Sequence, residues 1–288
     1  MRKVLVTGAS GFIGNYVIEE LLNRNITVIA SSTSEEKVKQ RSWVSKVKFI
    51  SFDLKEFSSS INYFDYFNEP DNIIHLAWEG LPNYKSLFHF EESLSAHYFF
   101  LKNLIVNGLK DVTITGSCLE YGLQEGCLSE DNCTQPANPY GIAKDSLRKF
   151  LEQYQHHHSF SLKWLRLFYM YGKGQNSSSL FSQLESAIQK GDKTFNMSGG
   201  EQVRDYLHVQ AVASYITSTA LQNNITGIIN CCSGEPVKLI ELVKTHIAHK
   251  GYSISLNPGY YPYPDYEPMR FWGDNSKLKT ILANEQSG

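Results

Sequence analysis

The sequence predicts an α/β protein with a doubly wound parallel sheet and a smaller C-terminal α/β domain. Short β-branched runs alternate with longer amphipathic segments from the N-terminus onward, which is typical of successive βαβ units. Closely spaced glycines join the first strand to the first helix. After about residue 168 the alternation loosens, and glycine, serine, asparagine and proline become frequent. These observations separate a regular N-terminal part from a more irregular C-terminal part.

Five parallel strands are predicted before residue 118, and a sixth follows a long helix. The strand segments are residues 3–8, 27–30, 47–54, 72–78, 111–117 and 162–168. The helical segments are residues 13–23, 99–109 and 140–155, the last begun by Asn138-Pro139. Residues 171–200 and 257–268 are predicted to form loops that face a ligand, because turn-forming residues and tyrosines crowd together there.

Composition excludes several classes of protein. The 288 residues are 42% hydrophobic, which is enough for a large core. A net charge of −2 gives no basic excess for a nucleic-acid partner. No run of 18 apolar residues occurs and the N-terminus lacks a cleavable apolar core, so we expect no membrane association and a cytoplasmic location. Five cysteines without a CxxC pair predict reduced thiols and no metal site.

The segment TGASGFIG follows the first strand and runs into the first helix. Gly8 permits a tight turn, Gly11 lets the backbone approach a phosphate, and Gly14 lets helix and strand pack closely. The free N–H groups of a helix N-terminus favour an anion. The segment therefore predicts a Rossmann-type dinucleotide site. Its predicted cofactor-binding residues are Gly8, Ser10, Gly11, Phe12, Ile13 and Gly14.

The end of the second strand bears on the choice of dinucleotide. A carboxylate at this position binds the ribose 2′-hydroxyl and repels a 2′-phosphate. Here Ser31 and Ser32 occupy the tip, and Lys37 lies nearby. Hydroxyl groups and a cation can accept a phosphate, so the sequence favours NADPH over NADH while leaving use of both open.

A proton-transfer group is predicted from three side chains. Tyr140 and Lys144 lie four residues apart at the start of a helix, on one face. An ammonium beside a phenol favours the phenolate, so we expect the pKa of Tyr140 to be lowered towards neutral. Ser117 ends the fifth strand, at the edge of the sheet where ligands bind, and can orient a carbonyl or alcohol.

With the glycine loop, Ser117 and the Tyr140-Lys144 pair, nearly the whole chain resembles the extended short-chain dehydrogenase/reductase family. The resemblance implies that Asp53 and Leu54 lie by the adenine, and that Leu76, Ala77 and Trp78 line the cofactor. It also divides the chain into a dinucleotide-binding domain, residues 1–168 plus about 202–232, and a substrate domain, about 169–201 plus 233–288. Homodimerisation through two helices per subunit is usual in the family, and the helices at 99–109 and 140–155 are the candidates here.

The late motifs YGKGQ, EQVRDYLHV and SGEPVKLIEL resemble members that act on nucleotide-sugars. The resemblance implies that Arg204 and Arg270 hold the diphosphate, and bidentate guanidinium contacts suit phosphate oxygens. It places the base near the backbone of Ser179 and Leu180. Tyr169 stands where the family usually has an asparagine that contacts the substrate, and Lys173 stands where it has a proline.

The residues after Ser117 bear on the reaction. Sugar dehydratases of the family carry an acid at one of the two places directly after the catalytic hydroxyl, and Cys118 and Leu119, which hold these places, supply none. Glu120 comes one place too late, on the other side of a strand-like segment. The GDP-fucose synthase type needs a cysteine one place later than Cys118. A simple carbonyl–alcohol interconversion therefore remains.

The overall pattern resembles reductases of the C4 ketone of nucleotide-linked 4-keto-6-deoxyhexoses. This implies reduction of dTDP-4-dehydro-6-deoxyglucose to dTDP-fucose for surface polysaccharides such as O-antigen. Tyr140 would deliver the proton, Lys144 would tune it and hold the nicotinamide ribose, and Ser117 would bind the ketone oxygen. Two alternatives remain open at this point: a 4-epimerase that retains NAD, and a non-enzymatic protein that senses NADP.

Overall fold

A computed structural model describes residues 2–286 of the chain. The strands of this part are β1 Lys3–Thr7, β2 Thr27–Ser32, β3 Lys48–Ser51, β4 Asn72–His75, β5 Asp111–Ser117, β6 Gly126–Leu128, β7 Ser161–Leu167, β8 Tyr169–Tyr171, β9 Thr194–Asn196, β10 Val203–His208, β11 Gly227–Cys231, β12 Pro236–Lys238, β13 Ser255–Asn257 and β14 Phe271–Gly273. The α helices are α1 Phe12–Asn23, α2 Glu35–Lys39, α3 Tyr63–Tyr66, α4 Leu94–Val106, α5 Pro139–Gln155, α6 Leu180–Lys190, α7 Val209–Leu221, α8 Leu239–Lys250 and α9 Ser276–Gln286. Short 3₁₀ turns cover Val44–Lys46, Leu54–Glu56 and Cys118–Tyr121, and a π turn covers His89–Ser93.

The central sheet has seven strands in the order β11-β7-β5-β4-β1-β2-β3. Every pairing within it is parallel. The chain moves outward from β1 in one direction through β2 and β3, then returns to β4 on the other side. This confirms the predicted doubly wound α/β fold and puts its switch point between β1 and β4, where such sheets bind ligands.

Helices cover both faces of this sheet because successive strand residues point to opposite sides. Val4 and Val6 of β1 pack in one buried cluster with Val17 of α1 and Ile216 of α7. Leu5 packs in the other cluster, which contains residues of α4 and α5. The two layers hold the carboxyl ends of the strands at one edge, where the predicted site residues lie.

The N-terminal strands follow the sequence closely. Strand β5 has the predicted bounds, and the five parallel strands expected before residue 118 are all present. Strand β4 ends at His75 rather than at residue 78, so that Leu76, Ala77 and Trp78 leave the sheet and line a cleft. Helix α4 begins at Leu94, five residues earlier than expected.

The region expected to be a loop at 171–200 contains the helix α6 and the strand β9. Ser179 caps α6 by accepting a hydrogen bond from the backbone of Ser182, and Gly191 ends it in the left-handed conformation with φ 78°. Phe181 and Leu184 bury one face of the helix. The strand β11, next to β7 at the sheet edge, was also not predicted.

The C-terminal part contains three small sheets. Strand β10 pairs with β8 and β12, β13 pairs with β9, and β14 pairs with β6. Helix α7 packs instead against the main sheet with α1. No helix in residues 2–286 combines the length and apolar character needed to cross a membrane.

Candidate functional site

A cleft opens at the switch point, beside the carboxyl ends of β1 and β4. Nine of the predicted cofactor residues line it: Gly8, Ser10, Gly11, Ser31, Ser32, Leu54, Leu76, Ala77 and Trp78. Six further lining residues were not predicted: Thr7, Thr33, Phe52, Glu79, His97 and Phe100. Phe12, Ile13 and Gly14 form the first turn of α1, and Asp53 caps the 3₁₀ turn by accepting a hydrogen bond from the Lys55 backbone. Phe12, Ile13, Gly14 and Asp53 were predicted to bind the cofactor, but they are not among the residues that line the cleft.

Two positions of the loop require glycine for steric reasons. Gly8 has φ 70°, and a Cβ there would lie 2.8 Å from the Ala77 nitrogen. A Cβ on Gly14 would lie 2.3 Å from the Gly8 carbonyl oxygen. Any side chain at either position would therefore separate the loop from β4 or from α1, and the backbone could not keep its shape.

The part of the cleft at the tip of β2 is rich in hydroxyls. The side-chain oxygens of Ser10 and Ser32 lie 2.5 Å apart. Arg41 donates a hydrogen bond from Nη2 to the Ser10 carbonyl at 2.7 Å, and its Nε is buried without a hydrogen-bond partner among the described residues. Lys37, the predicted nearby cation, is exposed, and the structure brings Arg41 to the loop instead.

The three predicted catalytic side chains come together at the end of β5. Tyr140 and Lys144 lie on the buried face of α5, which begins at Pro139 with Asn138 as its cap. The Ser117 hydroxyl lies close enough to the Tyr140 hydroxyl to lower the pKa of that phenol, against the larger effect of burial. The Lys144 ammonium lies 5.9 Å from the centre of the Tyr140 ring. It donates to the Thr115 carbonyl at 2.8 Å and sits 4.0 Å above the Trp78 ring.

The pKa values of this group differ from the expectation. Burial raises the pKa of Tyr140, where a lowered value was expected, and neighbouring Tyr84 adds to the effect. The Lys144 nitrogen is held by Thr115 and Trp78 rather than by the phenol. Burial also lowers the pKa of Lys144 to about 7, with Glu120 opposing the change. Tyr140 is thus a protonated phenol in this structure.

Glu120 lies beneath the site rather than across a strand. The turn Cys118–Tyr121 is a 3₁₀ helix, so Glu120 folds back and accepts a hydrogen bond from the Ser117 backbone at 2.8 Å. Its carboxylate also accepts hydrogen bonds from Trp164 Nε1 at 3.0 Å and Arg166 Nε at 2.8 Å, and Arg148 Nε lies 3.9 Å from it. The carboxylate is fully buried and held by these donors, so it fixes Ser117 rather than reaching a substrate.

Arg204 reaches the neighbourhood of the catalytic group. Its guanidinium lies 5.6 Å from the Tyr169 ring centre and 4.8 Å from that of Phe271. Glu267, which sequence reasoning missed, pairs with Arg204 at 3.2 Å. Burial, with a contribution from Glu267, raises the pKa of the Tyr169 hydroxyl and of the Cys118 thiol. A carboxylate therefore occupies the position next to Arg204 where an anion would bind.

Other predicted substrate residues are further apart. Arg270 has an exposed side chain, and its backbone bridges to Val203. Ser179 and Leu180 begin α6. The tyrosine-rich segment at 257–268 does face the site, since the Tyr266 ring lies 5.9 Å from the Tyr84 ring, which lies 5.5 Å from that of Tyr140.

All five cysteines have free thiols, as the sequence predicted. Cys118, Cys231 and Cys232 are buried, and burial raises the pKa of each of these thiols. Residues 2–286 contain no group of three or more histidine, cysteine or acidic side chains arranged to hold a metal ion.

A glycine loop at the switch point of a doubly wound sheet, with a serine, tyrosine and lysine assembled at the next strand end, defines a dinucleotide-dependent enzyme. Residues 4–232 match the NAD dependent epimerase/dehydratase family. The chain belongs to this family, and it is therefore an extended short-chain dehydrogenase/reductase.

Two relatives are informative. A dTDP-6-deoxy-L-talose 4-dehydrogenase (NAD(+)) from Aggregatibacter actinomycetemcomitans is 29% identical over 271 residues, covering 94% of this chain and 98% of that protein. A dTDP-4-dehydro-6-deoxyglucose reductase from Escherichia coli is 26% identical over 256 residues, covering 84% and 80%. Both names describe chemistry at C4 of a dTDP-linked 6-deoxyhexose.

Among solved structures, MoeE5 in complex with UDP-glucuronic acid and NAD is similar with a TM-score of 0.82 and 26% identity, over 98% of this chain and 92% of that one. A UDP-glucose-4-epimerase from Stenotrophomonas maltophila with bound NAD has a TM-score of 0.85 at 20% identity, over 98% and 93%. The second likeness bears on the fold alone.

Proposed function

We propose that this enzyme reduces the C4 ketone of a nucleotide-linked 4-keto-6-deoxyhexose with NAD(P)H, converting dTDP-4-dehydro-6-deoxyglucose to dTDP-fucose. The observation that carries the proposal is that no free carboxyl group stands in the turn after Ser117. Neither Cys118 nor Leu119 has an acidic carboxyl group, and the carboxylate of Glu120 is held by Trp164 and Arg166. A side chain that would expel water is thus missing from this turn, while the group for carbonyl–alcohol exchange is complete. The names of the two relatives describe chemistry at the same carbon atom and on the same class of sugar, which supports the proposal.

The chain's residues have distinct tasks in this reaction. When bound, a reduced nicotinamide supplies the hydride. Ser117 donates a hydrogen bond to the ketone oxygen, and Tyr140 gives that oxygen its proton. The raised pKa of Tyr140 suits this direction, because reduction consumes the protonated phenol. Lys144, which is held by the Thr115 carbonyl and the Trp78 ring, orients the nicotinamide ribose. Its positive charge balances the negative charge that Tyr140 carries after giving up its proton.

The substrate is assigned to residues 169–201 and 233–288, and the dinucleotide to residues 1–168 and about 202–232. Arg204 is proposed to hold the diphosphate, which must then displace Glu267 from the guanidinium. Tyr169 contacts the sugar, Ser179 and Leu180 contact the base, and Arg270 supplies a second cation. The exposed guanidinium of Arg270 would have to move towards the cleft for that role.

Purified protein mixed with dTDP-4-dehydro-6-deoxyglucose and NADPH or NADH in turn tests the proposal. We expect stoichiometric loss of the reduced-nicotinamide absorbance and a product with a hydroxyl at C4. A protein that consumes no nicotinamide, but releases tightly bound NAD on denaturation and inverts C4 of a nucleotide-sugar, would instead be a 4-epimerase. A protein without turnover that binds NADP would overturn the enzymatic assignment.

We propose further that the enzyme prefers NADPH. No acid stands at the tip of β2, and Ser31, Ser32 and Thr33 line the cleft there. Arg41 donates to the Ser10 carbonyl of the same loop and has an unpartnered Nε, so its guanidinium supplies positive charge beside the loop. The dehydrogenase from A. actinomycetemcomitans has NAD(+) in its name, so this preference would distinguish the two proteins.

Replacing Arg41 with alanine is expected to raise the KM for NADPH by roughly 10- to 100-fold, since a hydrogen bond to a charged group contributes about 1.5–3 kcal/mol. The KM for NADH should change less than threefold, because NADH lacks the 2′-phosphate. Lys37→Ala is the matched control and should leave both values nearly unchanged, because this side chain is exposed. Equal losses with both dinucleotides would contradict the proposed preference.

We also propose a homodimer formed by α4 and α5. Phe99 is 49% exposed and Phe150 is 47% exposed, and Tyr98 joins them by contacting Phe150 at 5.6 Å between ring centres. Large aromatic side chains on adjoining helices favour burial in a helical interface. Sedimentation velocity is expected to give twice the chain mass, and Phe99→Lys with Phe150→Lys should give a monomer. A wild-type monomer at micromolar concentration would contradict the proposal.

A further inference from the structure

A chain of hydrogen bonds runs through the sheet beneath the dinucleotide cleft. The Thr7 hydroxyl lies 2.7 Å from Nδ1 of His75, and Nε2 of His75 lies 2.8 Å from Nδ1 of His97. His75 is fully buried and His97 is 2% exposed. The catalytic proposal uses none of these three side chains.

Both imidazoles are neutral and therefore carry one hydrogen each. Burial lowers the pKa of His75 to about 3, and the nearby Lys144 ammonium adds to the shift. Burial lowers the pKa of His97 well below its usual value, with His75 and Lys144 contributing. The direction of the chain therefore depends on the tautomers and not on charge.

The hydrogen bonds of the Thr7 hydroxyl indicate which group donates and which accepts along this series. The Ala77 N–H donates to the Thr7 oxygen at 3.4 Å, so the Thr7 hydroxyl hydrogen is free to donate to Nδ1 of His75. Nε2 of His75 then carries its hydrogen and donates it to Nδ1 of His97. The opposite direction would leave the buried Thr7 hydroxyl hydrogen without an acceptor in the described part of the chain, and a buried donor without a partner is unfavourable.

This direction leaves the hydrogen of His97 on Nε2. The ring is held in place by the Trp78 indole, which stacks on it with ring centres 4.3 Å apart and planes 7° apart. The indole is itself fixed by donating to Nδ1 of His89 at 3.1 Å. His97 lines the dinucleotide cleft, and no described residue accepts a hydrogen bond from its Nε2.

We propose that His97 is a cofactor-binding residue whose Nε2–H donates to an acceptor atom of the bound dinucleotide, with its tautomer set by the Thr7–His75 chain. This inference rests on the proposed use of the cleft for the dinucleotide. A donor fixed by packing and hydrogen bonds loses little entropy on binding, and a ligand oxygen or nitrogen satisfies an N–H that has no partner within the protein.

The tautomers can be read directly in the wild-type protein. Long-range ¹H–¹⁵N spectra of protein labelled with ¹⁵N-histidine are expected to show His75 and His97 both protonated at Nε2, with His97→Gln assigning the second set of signals. Adding NADP⁺ should shift the His97 Nε2–H resonance and slow its exchange with water. A hydrogen on Nδ1 of His97, or a resonance that does not move when NADP⁺ is saturating, would overturn the inference.

Two variants separate the donor from the packing. His97→Leu is expected to weaken NADP⁺ binding by about tenfold, equivalent to one hydrogen bond of about 1.4 kcal/mol, by calorimetric titration. His97→Gln retains an N–H at a similar reach and should lose less than threefold. Equal losses in the two variants would overturn the role of the donor while the cleft assignment stands. Failure of the wild-type protein to bind NADP⁺ or NAD⁺ would overturn the cleft assignment and the inference together.

Discussion

Tyr140→Phe is expected to lower the rate of ketone reduction by about 10²- to 10⁴-fold, the range that positioned proton transfer contributes. The substitution removes the phenol hydroxyl and its proton, but it keeps the ring that packs on Trp78 and Tyr84. The dinucleotide should therefore still bind. Single-turnover loss of nicotinamide absorbance measures the rate, and calorimetric titration measures binding.

Tyr84→Phe is the matched control for this prediction. Tyr84 is half-buried, and its ring lies 5.5 Å from that of Tyr140, so the variant removes a neighbouring hydroxyl and leaves the Tyr140 hydroxyl in place. We expect it to retain most of the rate. Activity of Tyr140→Phe at the level of this control would show that another group delivers the proton.

Glu120→Ala is expected to lower the free energy of unfolding by about 3–5 kcal/mol, because it leaves the buried Arg166 guanidinium without its carboxylate. The variant also loses the bond to the Ser117 backbone, so the folded fraction should turn over more slowly than the wild type. Urea unfolding followed by circular dichroism measures the first effect.

Two further variants test whether the unpaired buried charge causes this loss of stability. Glu120→Ala combined with Arg166→Met removes both charges and should recover part of the lost stability, as apolar replacement of buried ion pairs does elsewhere. Glu152→Ala breaks an ion pair with Arg148 that is 35% exposed on the carboxylate side, and it should cost at most about 1 kcal/mol. Equal losses for Glu120→Ala and Glu152→Ala would contradict the buried network.

The dinucleotide site could be predicted because its requirements are local. Gly8 and Gly14 are dictated by close backbone contacts within one strand–turn–helix unit, and Tyr140 and Lys144 by the spacing of one helix. Arg41, His97 and Glu267 were missed because each reaches the site from a separate element across the fold. Their signal in the sequence is only a polar residue in an otherwise ordinary segment.

The sequence by itself determined the parallel sheet, the glycine loop and the serine, tyrosine and lysine, because periodicity and short-range spacing carry that information. Only the tertiary structure decided the electrostatics. Lys144 and Tyr140 lie close together as their spacing predicts, yet burial raises the pKa of Tyr140, and Tyr84 and Glu120 from other segments add to the rise. Glu120 likewise supports Ser117 because Trp164 and Arg166, some forty residues later, meet it inside the sheet. Desolvation and the partner of each charge depend on packing between distant segments, and sequence spacing does not contain them.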